Sequence, residues 1–118
     1  MNNKVFISGK VTDDLHYRGK FEGAVYKILS AKFFNRHGSA KLASKYGRFG
    51  FMPVNPCDFR IMRHPLEECS WSLCMLVCLW HLTGCSYIYM LNNWRDSRGA
   101  RIEHRWATIL RKKIIYQP

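Results

Sequence analysis

A tryptophan stands directly before an arginine-rich turn in this chain: Trp94-Arg95-Asp96-Ser97-Arg98-Gly99, followed by Arg101 and Arg105. Nucleic-acid bases stack on aromatic faces for roughly 1–3 kcal/mol each, and guanidinium groups pair with the flanking phosphates. One ring and several cations on a short turn therefore suit a single strand. The polar neighbours Asn92, Asn93, Arg95 and Asp96 favour an exposed Trp94. Upstream, Phe33, Phe34, Tyr46, Phe49 and Phe51 interleave with Lys32, Arg36, Lys41, Lys45 and Arg48, the same mixture of rings and cations. The bland reading of both segments is a solvated basic surface with a few rings tucked beneath it. Four arginines within residues 95–105, beside Trp94, favour phosphate contact. The expected nucleic-acid-binding set is Lys32, Phe33, Phe34, Arg36, Lys45, Tyr46, Arg48, Phe49, Trp94, Arg95, Arg98, Arg101 and Arg105. Trp71, Trp80 and Trp106 are expected in the core.

Catalysis has less to build on. Of eight acids only Asp13-Asp14 and Glu67-Glu68 are adjacent, and neighbours along a helix do not converge on one site. No nucleophile, base and orienter assemble into a triad, and no glycine-rich phosphate loop is present. The expectation is a non-catalytic protein with no small-molecule substrate and no cofactor. The five cysteines (Cys57, Cys69, Cys74, Cys78 and Cys85) include no Cys-x-x-Cys pair. His64 and His81 flank them, but zinc ligands usually come in close pairs from two segments, so reduced core cysteines are expected and no metal.

The elements that must carry these residues belong to a chain of 118 residues, enough for one core and one domain spanning 1–118. Nineteen Lys and Arg against eight acids give a net charge of +11, which attracts polyanions. Twelve of the cations lie in residues 1–64 and seven in 95–118, with no charge from Cys69 to Trp94. Such a spread points to a folded basic surface rather than a charged arm. No signal-peptide pattern opens the chain, and a cytoplasmic location is expected. Lys4–Val11 alternates as a half-buried strand. Ala24–Asn35 is rich in β-formers, and Phe51–Met62, with Pro53 and Pro56, fits an edge strand. Pro65–Leu82 has the proline, acids and three-to-four spacing of a helix. Cys85–Trp94 and Arg101–Tyr116 complete the strands. Three strands, a helix and two strands predict a mainly β fold: a five-stranded OB-fold Greek-key barrel with one helix between strands three and four.

Two blocks carry a family resemblance. Val5-Phe6-Ile7-Ser8-Gly9-Lys10-Val11, with Asp13-Asp14 and Tyr17-Arg18 after it, resembles the opening of bacterial single-stranded DNA-binding proteins. Leu91-Asn92-Asn93-Trp94-Arg95-Asp96-Ser97-Arg98-Gly99, followed by Ala107-Thr108-Ile109, is similar to that family's fourth strand and hairpin. The short primosomal protein B family is an equal match in length. The resemblance implies single-stranded DNA binding with little sequence preference, RNA being possible, in replication, repair or mobile-element maintenance. It also implies a homodimer or homotetramer. The end, Tyr116-Gln117-Pro118, lacks the acidic tail through which such proteins recruit partners. The competing reading is a small membrane protein with one apolar span around residues 71–91. A span needs about 20 apolar residues, and here the dense run is only Leu73–Leu82.

Overall fold

The computed structural model describes residues 3–11, 15–37, 50–61, 64–65 and 70–118. Four parallel strands form an open sheet: β1 (Lys4–Ser8), β2 (Met52–Val54), β5 (Tyr87–Met90) and β6 (Lys113–Tyr116), in the order β2-β1-β5-β6. Val5 lies opposite Pro53 on one side and Tyr87 on the other, and Tyr87 opposite Lys113. A two-stranded antiparallel pair, β3 (Arg60–Ile61) and β4 (His64–Pro65), stands apart. Among the described residues there are four α-helices: α1 (Tyr17–Leu29), α2 (Ala31–His37), α3 (Trp71–Thr83) and α4 (Arg98–Ile109). The expected mainly β barrel is therefore not formed; the fold is α/β with an open parallel sheet.

Parallel neighbours need crossover connections, and here helices supply them. Helices on both faces bury both faces of the sheet, so its strands read as unbroken apolar runs. Val5 and Ile7 face one core with Phe21, Ala24, Ile28 and Phe33 from α1 and α2. Phe6, Ile88 and Met90 face the other, with Cys78 and Leu82 of α3 and Ala100 and Ala107 of α4. Phe6 breaks the polar alternation of β1 because both of its sides are interior.

Two segments expected as strands are helices. In α1 the buried Phe21, Ala24 and Ile28 follow the helical period, which outweighs the β-formers around them. Ser30, in extended conformation, ends α1, and its hydroxyl then accepts from Phe33 N at 3.2 Å to start α2. In α4 the inward stripe is Ala100, Glu103 and Ala107, all buried. The alternation of Ile102, His104 and Trp106 imitates a strand only because that inner stripe holds two alanines and a carboxyl. The helix expected from Pro65 begins at Trp71, capped by the Ser70 hydroxyl, which accepts from Leu73 N; residues 66–69 lie outside those described. The expected core tryptophans are also redistributed: Trp71 and Trp80 are exposed on α3, and Trp106 is partly exposed on α4.

Among the described residues no helix is long and apolar enough to cross a membrane. The 13 residues of α3 span about 20 Å, against about 30 Å of hydrocarbon.

Candidate functional site

The chain leaves β1 towards β2 and leaves β5 towards β6, so connections from two adjacent strands depart in opposite directions. In open α/β sheets the crevice beyond the carboxyl ends at such a switch is where ligands bind. A cavity of about 600 Å³ lies there. Its floor is the end of β1 (Ile7, Gly9 and Lys10), and one wall is the first turns of α4, from Ser97 to Glu103. Trp71, Cys74 and Cys78 of α3 line a second side, and Tyr17, Arg18 and Phe21 of α1 a third.

Local contacts hold the floor in place. Leu91 N donates to Ser8 O at 2.8 Å and Lys10 N to the Asn93 side chain at 3.1 Å, tying together the loops that follow β1 and β5. Gly9 has no room for a side chain, since a Cβ would come within 2.5 Å of Leu91 Cδ1. The Ser97 hydroxyl accepts from Ala100 N at 3.2 Å and caps α4. That leaves the amides of Arg98 and Gly99 without partners inside the helix, at its positive end and on the cavity wall.

Glu103 is the chemical centre. It is 6% exposed, and Ser8 Oγ donates to its Oε1 at 2.7 Å. Burial pushes its carboxyl up to about 7, while hydrogen bonds from Ser8 and Cys78 pull the other way. Near neutral pH the group therefore populates both protonation states, the condition for giving and taking a proton. The neighbouring Cys78 thiol is pushed well above the usual thiol range, first by burial and then by Glu103, so it stays protonated and a poor nucleophile. Asp96 lines the exposed side of the same cavity. Arg98 lies over the Trp71 ring, its guanidinium carbon 4.5 Å from the centroid.

The described residues among those expected to bind nucleic acid are not gathered in one place. Phe33 is buried in the core against Phe51, at 5.3 Å between ring centroids, and Phe34 is half-buried beside it. Lys32 and Arg36 are exposed on α2. Lys45, Tyr46, Arg48 and Phe49 lie outside the described residues. The expected hairpin at Trp94 is a 3-10 turn (Trp94–Asp96) leading into α4. The Trp94 indole stacks on the His104 ring at 4.3 Å, so one of its faces is already taken. Arg95, Arg101 and Arg105 are exposed, and of the described members of the set only Arg98 lines the cavity. Glu103, Lys10, Tyr17 and Trp71 line the cavity, and Ser8 holds Glu103 from behind, though none of them was expected as a site residue. The signal for Glu103 is the run from Ser97 to Ala107, in which a serine cap precedes a helix-spaced stripe of small residues carrying one carboxyl.

Of the expected reduced cysteines, Cys78 and Cys85 are buried, whereas Cys57 and Cys74 are half-buried at the cavity. No cluster of three or more His, Cys, Asp or Glu among the described residues could hold a metal ion.

No curated protein and no solved structure matches the chain significantly. A family model does match, over residues 3–116 and so across both halves of the cavity. By that match the chain belongs to the family described as Domain of unknown function (DUF4406).

Proposed function

We propose that this chain is an enzyme acting on a small phosphorylated, ring-bearing compound of the nucleotide class, and that Glu103 works on its glycosidic bond. The observation that carries the reading is the buried Glu103 carboxyl, held near neutral pKa at the switch-point cavity. Strongly perturbed titratable groups in a cleft mark reactive sites. The ligand class follows from the walls. Amides at the start of α4, with Lys10 and Arg98, suit a phosphate. Trp71 and Tyr17 line the cavity with flat rings that suit an aromatic ligand, each carrying an arginine, Arg98 and Arg18, over one face.

The reaction class follows from the groups within reach. Most glycosidic bonds are cleaved with carboxyl groups and water, a carboxylate attacking or steadying the anomeric carbon while proton transfer assists the leaving group. As a carboxylate Glu103 can attack that carbon, the bond to the base breaking as the ester forms and the departing base taking its proton from water. A further water then hydrolyses the ester, regenerating the Glu103 carboxylate and passing its proton to solvent. The inert Cys78 thiol does not compete. This reading departs from the expected non-catalytic binder, whose OB-fold argument does not survive the open sheet. The basic surface behind that expectation persists in the exposed Lys32, Arg36, Arg95, Arg101 and Arg105.

The test is to incubate the protein with nucleoside 5′-monophosphates and their parent nucleosides and to follow free base by chromatography. Release should favour the phosphorylated members and fall by about 10²-fold or more in Glu103→Gln. No release from any member, with salt-dependent binding of oligo-dT instead, would overturn the proposal in favour of a single-strand binder.

A further inference from the structure

Helix α3 is apolar on two opposite sides. Its inner side, Cys78 and Leu82, packs on the sheet. Leu73, Leu76 and Trp80 recur at three- and four-residue spacing on the outer side, and Leu76 is 66% and Trp80 77% exposed. No residue of α3 carries a formal charge apart from what His81 gains on protonation. Helix α4 packs alongside α3. A Cβ placed on its Gly99 would meet Met75 at 3.0 Å and Trp71 at 3.9 Å, so this edge of α4 faces α3. Trp106, two turns further on, falls on the same edge, and Ile109 in the last turn, 63% exposed, with Leu110 just beyond it, extends the patch.

Together these side chains expose roughly 600 Å² of apolar surface, at the upper end of what a monomer normally leaves uncovered. A standard interface needs about 800 Å² from each partner, most of which this patch would supply. Charge narrows the choice of occupant. At +11, two copies of this chain repel each other over most of their surface. The outer side of α3 escapes that repulsion, and helical spacing turns Arg101 and Arg105 away from the Gly99–Trp106 edge. We infer that the outer face of α3, with the adjoining edge of α4, binds a second copy of this chain in a two-fold dimer that packs α3 against its counterpart.

Sedimentation equilibrium of the full chain at about 1–100 μM tests this, because an interface of this size gives affinities that span that range. The expected species has twice the 13.9 kDa chain mass. Leu76→Glu with Trp80→Glu should weaken association by about 100-fold, since each would bury an unpaired charge at the contact. Far-UV circular dichroism should be unchanged, because both side chains point outward. Trp80→Ala, which adds no charge, should weaken association by about 10-fold and guards against misfolding of the double variant. A wild-type monomer throughout, or a dimer that survives both variants, overturns the inference. A monomer that instead pellets with anionic vesicles, and loses that property in the double variant, overturns it in favour of a lipid surface.

Discussion

The Ser8 hydroxyl at the end of β1 donates to Glu103 Oε1 at 2.7 Å, joining residues 95 positions apart in sequence. The contact pins the first strand to the last helix at the bottom of the cavity. It also opposes the effect of burial on the protonation of the one carboxyl that the described residues enclose.

The first prediction concerns pH. Glu103 is raised from the ordinary 4.5 to about 7 by burial, so the folded chain holds this proton more tightly than the unfolded chain does. Its contribution to stability is complete below the unfolded value and is lost as pH climbs through the folded one. Between those limits stability should fall by on the order of 3 kcal/mol from this group. Urea unfolding at about pH 5 and about pH 8, compared with Glu103→Gln, isolates the effect from the histidines. If wild type and variant show the same pH dependence, the carboxyl is already ionised at neutral pH.

Ser8→Ala gives the second. The Ser8 hydrogen bond lowers the Glu103 pKa, opposing burial, so its loss should move the Glu103 titration further upward. The variant should also lose about 1–2 kcal/mol of stability at neutral pH, where part of the carboxyl is charged. The carboxyl carbon resonance of Glu103, followed by NMR across pH, reads the midpoint directly. A midpoint that moves down would mean that Ser8 favours the protonated form.

The third lies at the far end of α4. Arg111 has φ of 58°, in the left-handed region where a side chain is strained. Lys112 N donates to Ala107 O at 2.9 Å and Arg111 N to Thr108 O at 3.1 Å, the paired bonds of a Schellman cap that favours glycine at this position. Arg111→Gly should therefore raise stability by about 0.5–1 kcal/mol, seen as a higher urea midpoint at unchanged m-value. A lower midpoint would show that the Arg111 side chain contributes more than its backbone strain costs.

Part of this architecture was legible in the sequence. β1 was, as a strand, though the alternation read as half-buried belongs to a strand covered on both faces; α3 was, as a helix, though the spaced Leu73, Leu76 and Trp80 turn outward. The existence of β5 and β6 was legible too, within longer segments than they occupy. The fold class was not. An open parallel sheet and a closed barrel differ in what lies between the strands, and three of the four described helices, α1, α2 and α4, were disguised. In α1, Val25, Tyr26 and Ile28 speak for a strand, and only the spacing of Phe21, Ala24 and Ile28 speaks against it. In α4 the buried stripe is small and carries Glu103, so it has almost no hydropathy signal. That disguise also hid the site: an isolated glutamate among arginines reads as a surface charge until the helix turns it inward. Arg98 was singled out for its charge, and the cavity does contain it, though on a helix rather than a hairpin.

The central position of β1 also bears on how the chain reaches this state. Its first residues are made early, yet Lys4 pairs with Met52, 48 positions later, and Val5 with Tyr87, 82 positions later. Closing such long loops is entropically costly before any contact rewards it, so topology of this kind folds slowly. On the ribosome β1 must wait, with Val5, Phe6 and Ile7 uncovered, until β5 has emerged. Chains interrupted within α3 expose that strand along the side where β5 belongs, and they are the species a chaperone or an aggregate would capture.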